Sequence, residues 1–374
     1  KNLSRHHSIL LLSLLEFPEE AEQVSHLKPY CELVEVVVSQ RHSLWAQGTG
    51  IARGLLAGRP VATQPFFYEE LACKVREVTA REDVDIIQIE HSFLAPYVEA
   101  LPPHSACKKV LSFHNIGSQQ YRRMLHLQTG VGGKLLSLLK WLLMLRWEAR
   151  YAKKFDHCLV VSAVDGQLLQ SANPAVPVSV IENGVDTALY QPLIEAPNSK
   201  VLLFVGTMGY PPNVDAVRYF YDAVMPLVRR QVRDVKLMIV GHHPRSEVRH
   251  LAKHDDVIVT GSVPDVIPYY QQSQVSIIPL RAGGGTRLKI LESMALGRPV
   301  VSTALGCEGL EVVDQEHLMI ADTPAEFAER VIQLLTDREL RDRISRNARH
   351  LVERRYDWSL SSQKLMAVYS SLTA

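Results

Sequence analysis

Short runs of apolar residues alternate along the chain with longer stretches in which apolar positions recur every three or four residues. The runs at 8–15, 33–38, 86–89, 109–113, 158–161 and 178–181 are rich in Val, Ile and Leu and continuous, the pattern of parallel strands buried on both faces. The rhythm restarts beyond a proline-containing stretch at 192–199, with runs at 201–205, 237–240, 257–260, 275–279 and 299–302. Two serial sets of alternating strands and helices predict an α/β chain of two doubly wound, Rossmann-like domains. Each would carry its binding loops at the carboxyl ends of its strands, with the default site in a cleft between the two. The expected boundaries are 1–186, 187–356 and a closing segment 357–374, where Leu360, Leu365, Met366, Val368 and Leu372 fall at the spacing of an amphipathic helix. Residues 1–7 read like the end of a helix, which makes 8–15 a second strand and leaves the usual first strand, with its glycine turn, missing.

Composition narrows the function. With 374 residues, 47% of them hydrophobic, disorder and small disulfide scaffolds are excluded. Forty-one basic against 40 acidic residues, a net charge of +1, leave no polycation to hold nucleic acid, so none is expected as a partner. The cysteines, Cys31, Cys73, Cys107, Cys158 and Cys307, are dispersed and never form a CxxC pair, which points to core residues in a reducing compartment and away from metal. No apolar run approaches the ~18 residues that span a bilayer and no signal-peptide pattern is present, so a cytoplasmic protein is expected. Segment 108–154 holds ten Lys or Arg and one acid, Glu148. Its apolar stretch 135–147 is interrupted by Lys140 and Arg146, and two readings stay open: an interfacial helix on anionic lipid, or a core helix with a solvated basic side.

The sharpest motif is a strand at 275–279 followed by Arg281-Ala-Gly283-Gly284-Gly285-Thr286-Arg287-Leu-Lys289-Ile-Leu-Glu292. Glycines leave room for a ligand, Thr286 is the expected N-cap, and the helix behind it offers free N–H groups and a positive dipole end to an anion. Arg287 and Lys289 in the first turn have the wrong sign for that dipole unless an anion neutralises them, so a diphosphate fits. Glu292 lies one and a half turns further in, where a carboxylate accepts hydrogen bonds from ribose hydroxyls. The plainer alternative is a solvated turn with surface charges. It is not a Walker loop, since the Gly-Lys-Ser/Thr order is missing. Gly48-Thr-Gly50-Ile-Ala-Arg-Gly54 imitates a dinucleotide fingerprint, but nine residues including Trp45 part it from the strand ending at Val38, so it reads as an ordinary helix or loop. His114 and Asn115 follow directly on a strand, and Glu90 and His91 end another; each is weighed against a purely structural role.

These motifs, with Gly206-Thr-Met-Gly209, Val240-Gly241, Thr260-Gly261-Ser-Val263, Gly297-Arg-Pro-Val-Val and Glu182-Asn-Gly-Val-Asp186, resemble in order the retaining, GT-B-fold glycosyltransferases of family 4, and transferases of exopolysaccharide clusters in particular. The resemblance covers nearly the whole chain. It implies a donor-binding second domain in which Gly206, Gly209, Gly283, Gly284, Gly285, Thr286, Arg287, Lys289 and Glu292 hold a UDP-, GDP- or ADP-sugar. Glu292 matches the second of the family's two glutamates, which binds the ribose; the first falls on Gly284. The family's phosphate-binding Arg and Lys are missing from 206–213, and Arg287 and Lys289 are the expected substitutes. His114 matches a histidine beside the transferred sugar, with Arg287 and Lys289 completing the catalytic set and Glu90, His91 and Asn115 on the acceptor side. The implied activity is hexosyl transfer to a glycan or lipid-linked acceptor in surface polysaccharide synthesis, without cofactor or metal, with 108–154 available to an anionic membrane face. The rival readings are a nucleotide-sugar epimerase of the same fold and a non-catalytic sugar-nucleotide-binding protein.

Overall fold

The computed structural model describes residues 1–15, 24–38, 60, 67–103, 105–128, 130–193 and 199–374. The fingerprint-like glycines at 48–54 and Trp45 lie outside them. The chain forms two compact units, Lys1–Ile181 with Ser362–Ala374, and Glu182–Ser361.

In the first unit, β1 (Leu10–Leu15) pairs in parallel with β2 (Leu33–Val38). A second sheet runs in sequential order through β3 (Ile86–Glu90), β4 (Lys108–Phe113), β5 (His157–Val160) and β6 (Val178–Val180), all parallel. The connecting helices are α1 (Glu69–Arg81), α2 (Gly117–Leu127), α3 (Val131–Ala152) and α4 (Ala163–Ala172). Successive strand residues face opposite ways, and the core divides accordingly. Leu111, Phe113, Cys158 and Val160 pack with Trp147, Tyr151 and Leu169, whereas Val110 and Leu159 pack with Leu365, Val368 and Leu372 of the C-terminal segment. Residues 1–7 contain a 3-10 turn, Leu3–Arg5, and Leu3 packs into the same cluster as Leu365.

Helix α3 turns one side inward, burying Met144, Trp147, Glu148 and Tyr151, and leaves Val131, Leu135, Leu136, Leu139 and Leu142 exposed, with Leu135 at 66%. The outward side carries both leucines and the exposed cations Lys134, Arg146 and Arg150. No helix among the described residues is long and apolar enough to cross a membrane. The cysteines are all unpaired; Cys107, Cys158 and Cys307 are buried, while Cys73 is exposed on α1 and Cys31 half-buried, so the expectation that all five belong to the core holds for three.

The second unit contains β7 (Val201–Val205), β8 (Lys236–Val240), β9 (Val257–Val259), β10 (Val275–Ile278), β11 (Val300–Ser302) and β12 (Met319–Ile320). Its helices are α5 (Pro211–Tyr219), α6 (Met225–Gln231), α7 (Ser246–Leu251), α8 (Ile267–Gln272), α9 (Leu288–Ala295), α10 (Pro324–Thr336), α11 (Arg338–Arg355) and α12 (Trp358–Thr373), the last running on into the first unit. The strand order is β12-β11-β10-β7-β8-β9, all parallel. Numbered within the unit this is 6-5-4-1-2-3, the doubly wound order, in which connections leave the first and fourth strands in opposite directions and open a crevice at their carboxyl ends. That crevice lies between β7 and β10. The boundary at Ile181–Glu182 precedes the 192–199 stretch because 182–187 is already tied to the second unit: Val185 N–H donates to the Tyr356 carbonyl at 2.8 Å and Thr187 Oγ1 to Asp357 at 2.6 Å.

Candidate functional site

Two groups of the expected residues assemble, one in each unit. In the second unit, β7 delivers Gly206 and β10 delivers the glycine loop to the switch-point crevice. Gly283 and Gly285 sit in the left-handed region, at φ 126° and 72°, where side chains are strained. Helix α9 begins later than expected: Arg287, not Thr286, is the N-cap residue, and no side chain caps the helix. Thr286 remains in the loop because Arg287 turns its guanidinium backwards, donating from Nη1 to the carbonyls of Gly284 and Gly285. Arg287 is thus a cross-brace of the loop and stands outside the first helical turn, contrary to the expectation that both cations lie in that turn.

Lys289 is in the first turn, and its chain runs to the end of β7. Its Nζ donates to Asn213 Oδ1 at 3.0 Å and lies 4.2 Å from the Phe204 ring centroid. A Cβ on Gly206 would stand 2.7 Å from that ammonium, so glycine there makes room for it. An ammonium from α9 thus stands at the start of 206–213. Burial, reinforced by the Arg287 charge and opposed by Glu292, brings the Lys289 pKa down from 10.5 to about 7. Glu292, one turn on, is pushed up by burial against the pull of Lys289 and of a hydrogen bond with Tyr270, whose hydroxyl lies 3.5 Å from Oε2. Gly209 stands beside His243, with a Cβ position 3.5 Å from that of the histidine. Sequence reasoning passed over Arg281, which forks onto Asp215 at 2.6 and 3.1 Å and lies 4.5 Å from the Tyr219 ring centroid, fastening the start of the glycine loop to α5. Its place just past a strand end was the available signal.

In the first unit, pairing of Glu90 with Ser112 puts the ends of β3 and β4 side by side. His114 Nε2 lies 2.7 Å from Glu90 Oε2, and the His91 and His114 ring centroids are 4.0 Å apart. Asn115 follows, half-buried. Burial alone would raise the Glu90 pKa, but bonds from His114 and Gln88 outweigh it and hold the carboxyl at about 2. Burial and the neighbouring His114 depress His91 to about 4, so it is neutral at neutral pH. The backbone of His91 is left-handed, φ 72°, an uncommon conformation for a side-chain-bearing residue. Sequence reasoning missed the support behind this group: Gln88 Nε2 donates to Glu90 Oε1 at 2.5 Å, and the Tyr369 hydroxyl of α12 donates to Gln88 Oε1 at 2.7 Å. The strand period, which puts Gln88 and Glu90 on one face, was a signal for the first of these.

Comparison with known proteins agrees with this architecture. The Glycosyltransferase Family 4 model matches residues 34–189 and the Glycosyl transferases group 1 model residues 199–337. The chain belongs to the family 4 glycosyltransferases and has their GT-B fold. Among curated relatives, it is 29% identical over 164 residues to an uncharacterised 44.6 kDa protein of the cps region of Klebsiella pneumoniae, covering 42% of each chain. It is 30% identical over 208 residues to phosphatidyl-myo-inositol mannosyltransferase of Mycobacterium tuberculosis, covering 51% of this chain and 53% of that one. The chain thus spans about half the length of the curated relatives it matches. Among solved structures, HepE of Anabaena superposes with a TM-score of 0.68 at 16% identity, covering 98% of this chain and 100% of that one.

Proposed function

We propose that the chain is a retaining hexosyltransferase that moves a sugar from a nucleotide-sugar to a glycan or lipid-linked acceptor in surface polysaccharide or glycolipid synthesis. The observation that carries this reading is α9, which sets a cation and a carboxylate three residues apart, Lys289 and Glu292, behind a glycine loop at the switch point between β7 and β10. Glu292 accepts the ribose hydroxyls, and Lys289 with the N–H groups of the loop receives the diphosphate, stabilising charge as it leaves. Arg287 joins only by releasing the carbonyls of Gly284 and Gly285, so Lys289 is the principal phosphate ligand. Lys289, with Arg287 behind it, is assigned the charge neutralisation that a metal supplies in other enzymes, and no metal or cofactor is expected. The departing phosphate takes the acceptor proton on the same face, so no pair of carboxylates is needed. His114 is assigned the role of the family's histidine that acts on the transferred sugar, and Glu90, His91 and Asn115 are assigned to the acceptor. Gly284 offers no side chain to the sugar hydroxyls, so that contact must come from elsewhere.

The mannosyltransferase relative acts, by its name, on a phosphatidyl lipid, the Klebsiella relative comes from a cps region, and HepE was solved with UDP and glucose. These support a lipid-linked or polysaccharide acceptor and a nucleotide-sugar donor. The exposed leucines of α3, with Lys134 and Arg146 among them, suit the cytoplasmic face of an anionic membrane. The test is a thermal-shift screen of UDP, GDP and ADP, in which a ligand at ~100 times its dissociation constant stabilises by ~2.7 kcal/mol, followed by transfer assays on lipid-linked and free glycan acceptors. Isomerised donor formed without acceptor would select the epimerase reading, and binding without turnover across the acceptors a non-catalytic one.

A further inference from the structure

Helix α2 begins three residues after His114, and its N-cap residue is Ile116, which has no side-chain acceptor for the first amides. The acceptor comes from α3. Glu148, 3% exposed, takes the Gly117 N–H on Oε1 at 2.7 Å and the Ser118 N–H on Oε2 at 3.2 Å. The single acid of the basic stretch is thus a buried clamp on the start of α2, with each oxygen on a different amide. Between this clamp and the end of β4 at Phe113 lie only His114, Asn115 and Ile116. Glu90 holds the imidazole of His114 from one side, and the clamp holds the backbone that carries it from the other.

We propose that Glu148 is a positioning residue for His114: its carboxylate pins the amino end of α2, and through the three-residue turn it sets where the imidazole stands. The inference rests on the role given to His114 above only for its effect on transfer; the effect on the ring itself is independent of it. The groups facing Glu148 are Ser118, Tyr121 and Arg122 from α2 and Asp165 from α4, and Arg122 and Ser118 share with it the lining of a cavity of about 120 Å³ through which a proton can reach it. Burial pushes its pKa up to about 7, against the bonds from Ser118 and Gly117 and with the like charge of Asp165. Protonation turns one accepting oxygen into a donor, so the clamp loosens as pH falls through about 7.

Glu148→Gln keeps the shape and one acceptor while turning an amide NH₂ toward the other N–H. The expected result is hydrogen exchange at the start of α2 faster by roughly tenfold and a moved His114 ring signal in ¹⁵N-histidine-labelled protein, assigned with His114→Ala. Nucleoside diphosphate affinity should stay as in the wild type. Transfer should fall about tenfold in kcat with donor KM unchanged, and lose the acid limb expected of the wild type below neutral pH. Gly117→Ala gives a second route, because its Cβ would stand 2.9 Å from Met144 Cε and 3.2 Å from Glu148 Oε1, displacing the carboxylate without removing it. An unmoved His114 signal in both variants, with exchange at α2 accelerated, overturns the proposal. A moved ring with unchanged transfer supports the clamp and instead removes His114 from the reaction.

Discussion

The two candidate sites share a topology and differ in how they treat charge. Both lie where parallel strands end, yet the second-unit site keeps a cation, Lys289, against an aromatic ring and the edge of a glycine, while the first-unit site pairs its carboxylate and imidazole with each other, each side chain more than a third exposed. The Lys289 ammonium is held at a cost that an incoming anion would relieve, which is what the proposed donor site requires. Glu90 and His114 already satisfy one another and need no ligand to do so. Behind them Gln88 donates to Glu90 and Tyr369 to Gln88, while Glu148 accepts from the start of α2, the clamp proposed above. Under the proposed function, donor affinity rests mainly on the second unit and His114 acts on turnover, an assignment that mutation can break.

The largest effect is expected at His114. His114→Ala should lower transfer by about 100-fold, ~2.7 kcal/mol of barrier, and leave nucleoside diphosphate affinity as in the wild type. Steady-state kinetics beside calorimetric titration make the check. A variant that loses donor affinity with unchanged kcat would erase the division between the units, and a lower Tm with normal activity per folded molecule would make His114 structural.

Next comes Glu292. If it accepts two ribose hydroxyls, Glu292→Ala should weaken nucleotide binding by roughly 1.5–3 kcal/mol, the range for bonds to a charged group. The 2′-deoxy nucleotide should bind poorly to the wild type and lose little more in the variant. Equal losses for ribo and deoxy ligands, measured by titration, would move the ribose away from α9.

Much of this was legible in the chain and some was not, for a consistent reason. The strand rhythm, the glycine loop, the Lys289–Glu292 spacing and the strand-end placement of His114 are local patterns, and local patterns survive in a sequence. Met319–Ile320 escaped because a two-residue strand carries no period. Thr286 looked like the N-cap on intrinsic preference, but the Arg287 guanidinium found two loop carbonyls and kept the loop from closing into a helix there. The local pattern presents Lys289 as a first-turn charge, which it is, but its bond to Asn213, 76 positions away, is set by tertiary packing. The Tyr369–Gln88 bond, 281 positions apart, likewise has no local trace. Glu148 was visible as a lone acid among ten bases, yet nothing in that count said that its oxygens would meet the amides of another helix.

The smallest effect is the most specific test of the buried cation. With no ligand, the depressed pKa of Lys289 means that the unfolded chain binds this proton more tightly than the native one, so the group destabilises the fold below about 7 and the penalty fades as pH rises toward 10.5. Lys289→Met should therefore melt higher than the wild type at pH 7, with the gap narrowing toward pH 10. A diphosphate reverses the balance by favouring the ammonium. With the pKa brought down to about 7 in the empty protein, the charged fraction falls between pH 7 and pH 8, so diphosphate affinity should drop several-fold over that unit. The ligand's own titration contributes equally to both proteins, so the difference between the wild type and Lys289→Met isolates the lysine. Parallel pH profiles for the two would place the diphosphate away from Lys289, and the second unit would then no longer differ from the first in holding a charge ready for a ligand.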